Sequence, residues 1–274
     1  MKKLTLDVAI STYKPEGIKR VEQMLQTLSP REGVRYIVSW QQHEDKEVPE
    51  TIQLREDVEV IRLDQKGLSN NRNNAINFAS ADIVLIADDD LEYDKDFVDK
   101  VLGAFEKDDD LDFALFKIRF KNEKEYPIED CDLKIPFPKN YYVTSMEIAF
   151  RRKKSGDLRF YPEMGLGAEL MHCGEEELFV FSAIKRGHKV KFFNREIASH
   201  PSETTGEKVS DSILRAQGFI ISLMYPFSFF LRLPLKAWRL KKHKNTPFFS
   251  ALCNLASGAV HQKLIYKKIP SCYR

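Results

Sequence analysis

The sequence predicts an α/β protein with a mostly parallel β-sheet flanked by helices, followed by a helical, basic C-terminal extension. From residue 4 to about residue 200, short apolar runs alternate with amphipathic helical repeats, which is typical of parallel strands joined by crossover helices. Residues 211–274 carry eleven Lys or Arg and one acidic residue, a net charge of +10, whereas residues 1–210 carry 32 basic and 40 acidic residues, a net charge of −8. We therefore predict a domain at residues 1–210 and a distinct extension at residues 211–274.

Repeated strand–helix units are predicted in the first half of the chain. Apolar and alternating runs predict strands at residues 4–10, 34–40, 58–63, 83–87 and 113–120. Apolar residues at helical spacing predict helices at residues 17–29, 69–80 and about 94–105, with Ser69 as the N-cap of the second. Residues 121–140, rich in Pro and charged residues, are predicted to be a surface connector.

The second half continues with a strand at residues 145–150 and a glycine-bearing loop at residues 163–167. A helix is predicted at residues 174–186, opened by Gly174 and three glutamates and closed by Gly187. A strand at residues 189–193 follows, and His200 is expected in the loop beyond it.

Three consecutive carboxylates, Asp88, Asp89 and Asp90, end the apolar run at residues 83–87. An unbroken run of this kind predicts a strand buried on both faces, and ligands bind at the carboxyl ends of such strands. Adjacent like charges repel one another, so a hard divalent cation would compensate them, and Mg²⁺ bound by one or two carboxylates plus substrate phosphates is common. The alternative is a solvated acidic turn that precedes the next helix.

Length and cysteine content limit the classes of protein to consider. A chain of 274 residues that is 43% hydrophobic can bury a sizeable core. The four cysteines are scattered and form no CxxC pair, which argues against a zinc site and predicts reduced thiols. The N-terminus shows no secretory signal, so a cytoplasmic protein is expected.

Five features in one order resemble family 2 inverting glycosyltransferases of the GT-A fold, of the type that builds bacterial surface polysaccharides. The features are a first strand ending in Ser11-Thr12-Tyr13, Asn71-Arg72-Asn73 after a glycine loop, the aspartate triplet, Gly174-Glu175-Glu176, and His200. The resemblance covers roughly residues 5–205. It implies transfer of a sugar from a nucleotide-diphosphate donor, with UDP as the leading nucleotide, to a hydroxyl of a glycan or lipid-linked acceptor, with Mg²⁺ or Mn²⁺ as cofactor.

The resemblance also implies roles for individual residues. It assigns Glu176 as the catalytic base, and Asp90 and His200 as metal ligands. Glu175 or Glu177 remains an alternative base, because a helix N-terminus favours any acidic residue in its first turn. His200 remains open as an ordinary loop histidine. The residues assigned to the nucleotide sugar are Ser11, Thr12, Tyr13, Gln41, Arg72, Asp88 and Asp89.

Gln41 departs from the family pattern, which often has an Asp after the second strand to read uracil. A Gln amide offers both a donor and an acceptor, so it could still read a base edge. Two other classes of function stay open at this point, a nucleotidyltransferase and a non-catalytic protein that binds nucleotide sugars or glycans. No glycine-rich phosphate loop follows Ile10, which counts against the first, and every acidic position is filled, which counts against the second.

The C-terminal extension combines apolar and basic residues. The apolar stretch 219–231 is interrupted by Pro226 and is shorter than the ~20 residues that span a bilayer. Beyond it, Lys and Arg alternate with Leu233, Leu235, Trp238 and Leu240, and a further apolar helix is predicted at 248–264. We expect peripheral contact with the inner face of an anionic membrane. The alternative is that these helices only pack on the domain; nucleic acid is not expected as a partner.

Overall fold

The structure, a computed structural model, describes residues 3–122, 124–200 and 209–274. Its strands are β1 (Leu6–Tyr13), β2 (Val34–Gln41), β3 (Val58–Leu63), β4 (Ile83–Asp88), β5 (Glu92–Tyr93), β6 (Phe113–Phe120), β7 (Cys131–Asp132), β8 (Ile148–Arg151) and β9 (Val190–His200). Its helices are α1 (Lys14–Gln26), α2 (Glu50–Gln53), α3 (Leu68–Phe78), α4 (Phe97–Glu106), α5 (Arg152–Ser155), α6 (Glu175–Lys185), α7 (Asp211–Met224), α8 (Phe229–Lys244) and α9 (Phe248–Ile265).

The strands of these described residues form one sheet in the order β3-β2-β1-β4-β8-β6-β9-β5, and β7 lies beside β9. The strands β3, β2, β1 and β4 pair in parallel, as do β6 and β9. Between the two parallel groups, β8 runs antiparallel to both of its neighbours. The predicted fold class, a mostly parallel sheet flanked by helices with C-terminal helices, is confirmed.

Different side chains cover the two faces of the sheet. Val8 and Ala9 are neighbours in β1 and therefore point to opposite faces. Val8 belongs to a core cluster with apolar residues of α1 and α4, and Ala9 to a second cluster with residues of α3 and α6. Residues 83–87 of β4 are all fully buried, as expected of a strand covered on both faces. The aspartate triplet follows these five residues directly and therefore lies at the carboxyl end of β4, at the edge of the sheet.

Three strand ends meet at that edge. In the parallel register, Ser11 of β1 lies beside Asp88 of β4 and Ser39 of β2. Two residues further along, Tyr13 lies beside Gln41. The loops that carry most of the candidate site residues therefore converge, because carboxyl ends of parallel strands share one edge.

The prediction that Ser69 is the N-cap of α3 is wrong. Gly67, at φ 103°, occupies the cap position and offers no side chain. Ser69 lies inside the first turn, where its Oγ donates to the carbonyl oxygen of Met164 at 2.6 Å. Leu68 N also donates to Leu166 O at 2.8 Å. The loop at residues 163–167 thus packs against the start of α3, and this tertiary contact uses the hydroxyl that local sequence assigns to a cap.

Two strand predictions need correction. Residues Ser145–Glu147 form a 3₁₀ turn, and only Ile148–Arg151 forms a strand. The strand predicted at residues 189–193 continues as β9 to His200, so His200 ends a strand instead of lying in a loop. The strands β5 and β7 were not predicted, because two-residue pairings contain no measurable period.

The C-terminal extension packs on the domain through α7. Phe219 and Leu223 of α7 share a core cluster with Met164, Leu178 and Phe181 of the domain. The predicted packing alternative therefore holds for this helix. The boundary between residues 210 and 211 coincides with the start of α7, but the division into two domains stays a prediction.

Glycines allow α7 and α9 to approach closely. A Cβ at Gly218 would lie 1.9 Å from the carbonyl oxygen of Leu255, and one at Gly258 would lie 1.8 Å from that of Arg215. Only a residue without a side chain fits either position. Across residues 3–122, 124–200 and 209–274, none of the helices combines the length and the apolar character that crossing a bilayer requires.

Candidate active site

Asp89 is held inside the protein by a bidentate ion pair and a hydroxyl. Arg20 donates from Nε to Oδ1 and from Nη2 to Oδ2, both at 3.0 Å, and Thr12 Oγ1 donates to Oδ2 at 2.6 Å. Burial raises the pKa of Asp89, and the hydrogen bonds from Arg20 and Thr12 oppose that rise. A Cβ at Gly17 would lie 2.2 Å from Thr12 Oγ1, so this glycine leaves room for the contact. The bonds tie the end of β1 and the helix α1 to the aspartate triplet.

Arg72 joins carboxylates from both halves of the domain. Its guanidinium is buried, with its side chain 2% exposed, and Nη1 lies 2.8 Å from Glu175 Oε1 and 3.2 Å from Glu176 Oε1. Nη2 lies 3.4 Å from Asp88 Oδ1 and donates to Ser145 Oγ at 2.6 Å. Burial alone would lower the pKa of Arg72, but Asp88, Glu176 and Glu175 together raise it. One fixed cation therefore links the end of β4 to the start of α6.

The first turn of α6 carries Glu175, Glu176 and Glu177. Gly174, at φ 91°, forms the N-cap, and a Cβ there would lie 2.8 Å from Met164 Cε and 3.1 Å from Ile220 Cγ1. A glycine is needed for this left-handed and crowded position. The helix N-terminus then holds three carboxylates beside Arg72, where its dipole favours negative charge.

The three glutamates occupy different environments. Glu175 is 2% exposed, and its Oε2 is buried without a hydrogen-bond partner. Burial and the neighbouring Glu176 raise the pKa of Glu175 well above its usual value. Burial also raises the pKa of Glu177, to about 8. These rises favour the protonated form of both carboxyl groups, whereas Glu176 keeps its side chain 16% exposed beside Arg72.

Asp90 and His200 lie together at the ends of β4 and β9. His200 Nε2 is 3.3 Å from Asp90 Oδ1, with the two side chains 9% and 26% exposed. Nowhere in the described ranges do three His, Cys, Asp or Glu side chains converge on one point. Mg²⁺ in nucleotide sites is nevertheless held by as few as one or two carboxylates, with substrate phosphates and water completing its shell. Asp90 supplies one such carboxylate, and the His200 imidazole lies beside it.

The nucleotide-side candidates differ in accessibility. Tyr13 is 45% exposed, whereas Gln41 is 4% exposed. The Gln41 amide donates to the carbonyl oxygens of Gln65 and Gly67, so it supports the loop before α3. Ser11 Oγ is buried without a hydrogen-bond partner, beside Asp88 in the strand register. The nucleotide-binding roles of these residues, and of Thr12 and Asp89, stay predictions.

Several residues that build the site were missed from the sequence. Arg20 follows Gly17 by three positions, so helical spacing could have indicated that both face Asp89. Ser145 and Phe160 contact Arg72, the latter with its ring centroid 5.5 Å from the guanidinium carbon. Asn71 Nδ2 donates to Thr12 O at 2.8 Å. These contacts join residues that are far apart in the sequence, so no local pattern predicts them.

A buried Lys–Glu pair lies in the segment predicted to be a surface connector. Lys124 Nζ contacts Glu147 Oε1, and the two side chains are 1% and 0% exposed. Tyr141 also donates to Glu147 Oε2 at 2.6 Å, and burial lowers the pKa of Lys124. The rings around the ammonium group, with centroids 4.4–5.6 Å away, are Phe120, Tyr126, Tyr141 and Tyr142. The pair fixes the connector to the turn that supplies Ser145.

Comparison with known proteins gives a family match over part of the chain and similar solved structures. The family model "Glycosyl transferase family 2" matches residues 34–161, which include Arg72 and the aspartate triplet but end before Glu176 and His200. A search of curated protein sequences finds no match.

Similar solved structures include those of TarS from S. aureus. TarS 1–349 in complex with UDP-GlcNAc aligns at a TM-score of 0.60 and 14% identity, over 97% of this chain and 92% of that chain. TarS 1–349 in complex with UDP gives 0.60 and 15% over the same shares. The longer TarS structure gives 0.57 and 17%, over 88% of this chain and 43% of that chain. At this level of identity the likeness shows the fold, and it confirms the predicted GT-A architecture.

Proposed function

We propose that this family 2 glycosyltransferase transfers a sugar, with inversion, from a UDP-linked donor to a hydroxyl of a glycan or lipid-linked acceptor. The observation that carries the proposal is the Arg72 network, which places Asp88 and Glu176 on one guanidinium at the carboxyl edge of the sheet. A site of this kind holds a donor at the strand ends and a carboxylate base beside it.

In the proposed reaction, the acceptor oxygen forms a bond to the anomeric carbon while the bond from that carbon to the β-phosphate oxygen breaks. The leaving UDP takes the bonding electron pair, and Glu176 accepts the proton of the acceptor hydroxyl. Attack on the face opposite the leaving group inverts the anomeric configuration. Arg72 positions Glu176 through its 3.2 Å contact.

Glu176 is proposed as the base because its neighbours are unsuited. Burial raises the pKa values of both Glu175 and Glu177, which makes each less ready than an ordinary glutamate to act in the ionised form. A base must be ionised and able to reach the acceptor. Of the three side chains, Glu176 is bonded to Arg72 and also partly exposed.

UDP is proposed as the donor nucleotide because structures of the same fold include TarS complexes with UDP-GlcNAc and with UDP. In this chain, the exposed ring of Tyr13 at the end of β1 offers a face on which a base can stack. Asp88, with its side chain 25% exposed, is proposed to bind the ribose.

Asp90 and His200 would hold the Mg²⁺ or Mn²⁺ ion. When bound, the ion supplies positive charge to the diphosphate as a Lewis acid. We also propose that the protein works in the cytoplasm at the inner face of a membrane, where a lipid-linked acceptor would be presented.

The test of the function is a panel of nucleoside diphosphates and their sugars with Mn²⁺. Thermal unfolding should shift upward with UDP and with at least one UDP-sugar, since a ligand at 100 times its Kd adds about 2.7 kcal/mol of stability. The stabilising UDP-sugar should also be turned over, slowly, with water as acceptor. Stabilisation by GDP or ADP and none by UDP would contradict the proposed donor.

Asp90→Ala is expected to lower transfer at least ~100-fold, because metal stabilisation of the leaving group is worth several kcal/mol. The variant should also lose the thermal shift that Mn²⁺ gives in the presence of UDP. Asp96→Ala, at an exposed acidic residue paired with Lys100, serves as the control and should behave as the unmodified protein. Full activity of Asp90→Ala in EDTA would rule out the metal role.

A further inference from the structure

The helix α8 has two apolar stripes on opposite sides. The inner stripe consists of Leu233, Ala237 and Leu240, which are 4%, 0% and 8% exposed and pack with residues of α7 and α9. The outer stripe, which we call the outer face, consists of Leu231, Leu235 and Trp238, which are 66%, 48% and 52% exposed. Both stripes have the spacing i, i+4, i+7. The inner stripe starts two positions after the outer one, which is about 200° around the helix, so the stripes lie on opposite sides.

Packing among the residues that the structure describes does not explain the outer face. Scattered exposed apolar residues are ordinary on any protein. A row of two leucines and a tryptophan along about two turns is a continuous patch, which usually marks a binding surface. Phe227, 91% exposed just before the helix, and Phe230, 59% exposed, extend the patch at its N-terminal end.

Basic residues surround the outer face. Helical spacing places Arg232 and Arg239 along one border of the stripe and Lys241 along the other. Lys242 Nζ lies 5.4 Å from the centroid of the Trp238 ring. The helix carries no acidic residue, and its six cations are Arg232, Lys236, Arg239, Lys241, Lys242 and Lys244.

We propose that the outer face of α8 is a membrane-contact surface that lies in the plane of an anionic bilayer, with Leu231, Leu235 and Trp238 at the acyl boundary and the flanking cations on lipid headgroups. This inference deepens the proposed membrane location. A helix with apolar and aromatic residues on one side and cations around them suits such an interface. The charge of the chain agrees, since residues 211–274 carry +10 and residues 1–210 carry −8, which favours the extension as the side facing anionic lipid.

A second copy of the chain suits this surface less well, because a two-fold contact would bring the same cations together. Nucleic acid would satisfy the cations but not the apolar row. Both remain distinguishable outcomes of the experiment below.

The extension cannot simply be deleted as a test, because α7 is part of the domain core. Phe219 and Leu223 of α7 pack with Leu178 and Phe181 of α6, and Ile220 lies against Gly174. Deleting α7 would therefore disturb the helix that carries Glu176. Substitutions on the outer face leave these contacts intact.

The test uses the full chain carrying Leu235→Glu and Trp238→Glu, and vesicles of phosphatidylcholine with or without phosphatidylglycerol. The unmodified chain should co-sediment with the anionic vesicles and not with the neutral ones, and 0.5 M NaCl should weaken binding. The double variant should lose at least tenfold in binding and keep its melting temperature and its turnover of the soluble donor. Leu54→Glu, at a position that is 76% exposed within the acidic residues 1–210, is the control and should bind as the unmodified chain does.

Equal sedimentation with both vesicle types, or with neither, would overturn the proposal. If the unmodified chain binds no vesicles but forms a concentration-dependent dimer that the double variant loses, the outer face belongs to a second copy. If DNA displaces the vesicles at physiological salt, the outer face belongs to nucleic acid. Vesicle binding is measured separately from donor turnover, so a chain that binds vesicles but turns over no nucleotide sugar would refute the proposed function and leave this surface standing.

Discussion

Glu176→Gln is expected to lower the rate of sugar transfer by about 10²–10⁴-fold, the usual contribution of a general base. The amide keeps the shape of the side chain but cannot accept the acceptor proton. Donor binding should change little, because Arg72 still has Asp88 and Glu175 as partners. Titration calorimetry with UDP and an assay of UDP release separate the two effects, since a variant that binds normally and reacts slowly has lost a transition-state interaction.

The neighbouring glutamates provide matched controls on the same helix turn. Glu175→Gln and Glu177→Gln replace carboxyl groups whose raised pKa values favour the neutral form more than in an ordinary glutamate. We expect both variants to keep most of their activity. An inactive Glu175→Gln beside an active Glu176→Gln would move the base to Glu175, and the assignment from the sequence would be wrong by one residue.

The architecture of the sheet was predictable because its signal is local and periodic. The fully apolar run at residues 83–87 has one good solution, a strand covered on both faces, and the structure buries all five residues. Once the strands are placed in parallel, the ends of β1, β2 and β4 must share an edge. The sequence therefore placed Ser11, Gln41 and Asp88 near one another without any knowledge of their side-chain contacts.

The side-chain contacts within the site were not predictable in the same way. Arg72 meets Glu175 across 103 residues of sequence, and no period or spacing encodes such a pairing. The crowded aspartate triplet predicts a divalent metal cation as the compensating charge. In the structure Asp89 pairs with Arg20 and Asp88 lies near Arg72, so protein side chains account for part of that compensation.

The polar composition of residues 121–140 predicts a surface connector, and this prediction is wrong for one of its side chains. Residues 121–140 look like a solvent-exposed segment, yet Lys124 is buried in an ion pair with Glu147. A buried lysine is costly unless its charge is paired, and its partner, Glu147, lies outside residues 121–140. Polar composition indicates exposure on average but does not identify the single charged side chain that tertiary structure encloses.

Arg72→Met is expected to have the largest effect on both stability and activity. The substitution leaves Asp88, Glu175 and Glu176 without their shared cation in a buried setting. Removing one partner of a buried ion pair typically costs about 3–5 kcal/mol, and we expect a loss of this size in the free energy of unfolding at pH 8. Transfer should fall below detection, because Glu176 loses the contact that positions it.

The loss of stability in Arg72→Met should depend on pH in a defined direction. Arg72 opposes the rise in the pKa of Glu175, so without this cation that pKa rises further in the folded variant, which then binds protons over a wider pH range than the unfolded state does. Acidification from pH 8 to pH 5 should therefore reduce the difference in the free energy of unfolding between the variant and the unmodified protein. Urea unfolding at each pH measures this difference. Arg55→Met is the control. It removes a guanidinium paired with Asp57 just before the first residue of β3, at the end of the sheet away from the site, and it should lose stability without a comparable loss of transfer. A gap for Arg72→Met that stays constant between pH 5 and pH 8 would show that lost packing, and not uncompensated carboxylate charge, is the cause.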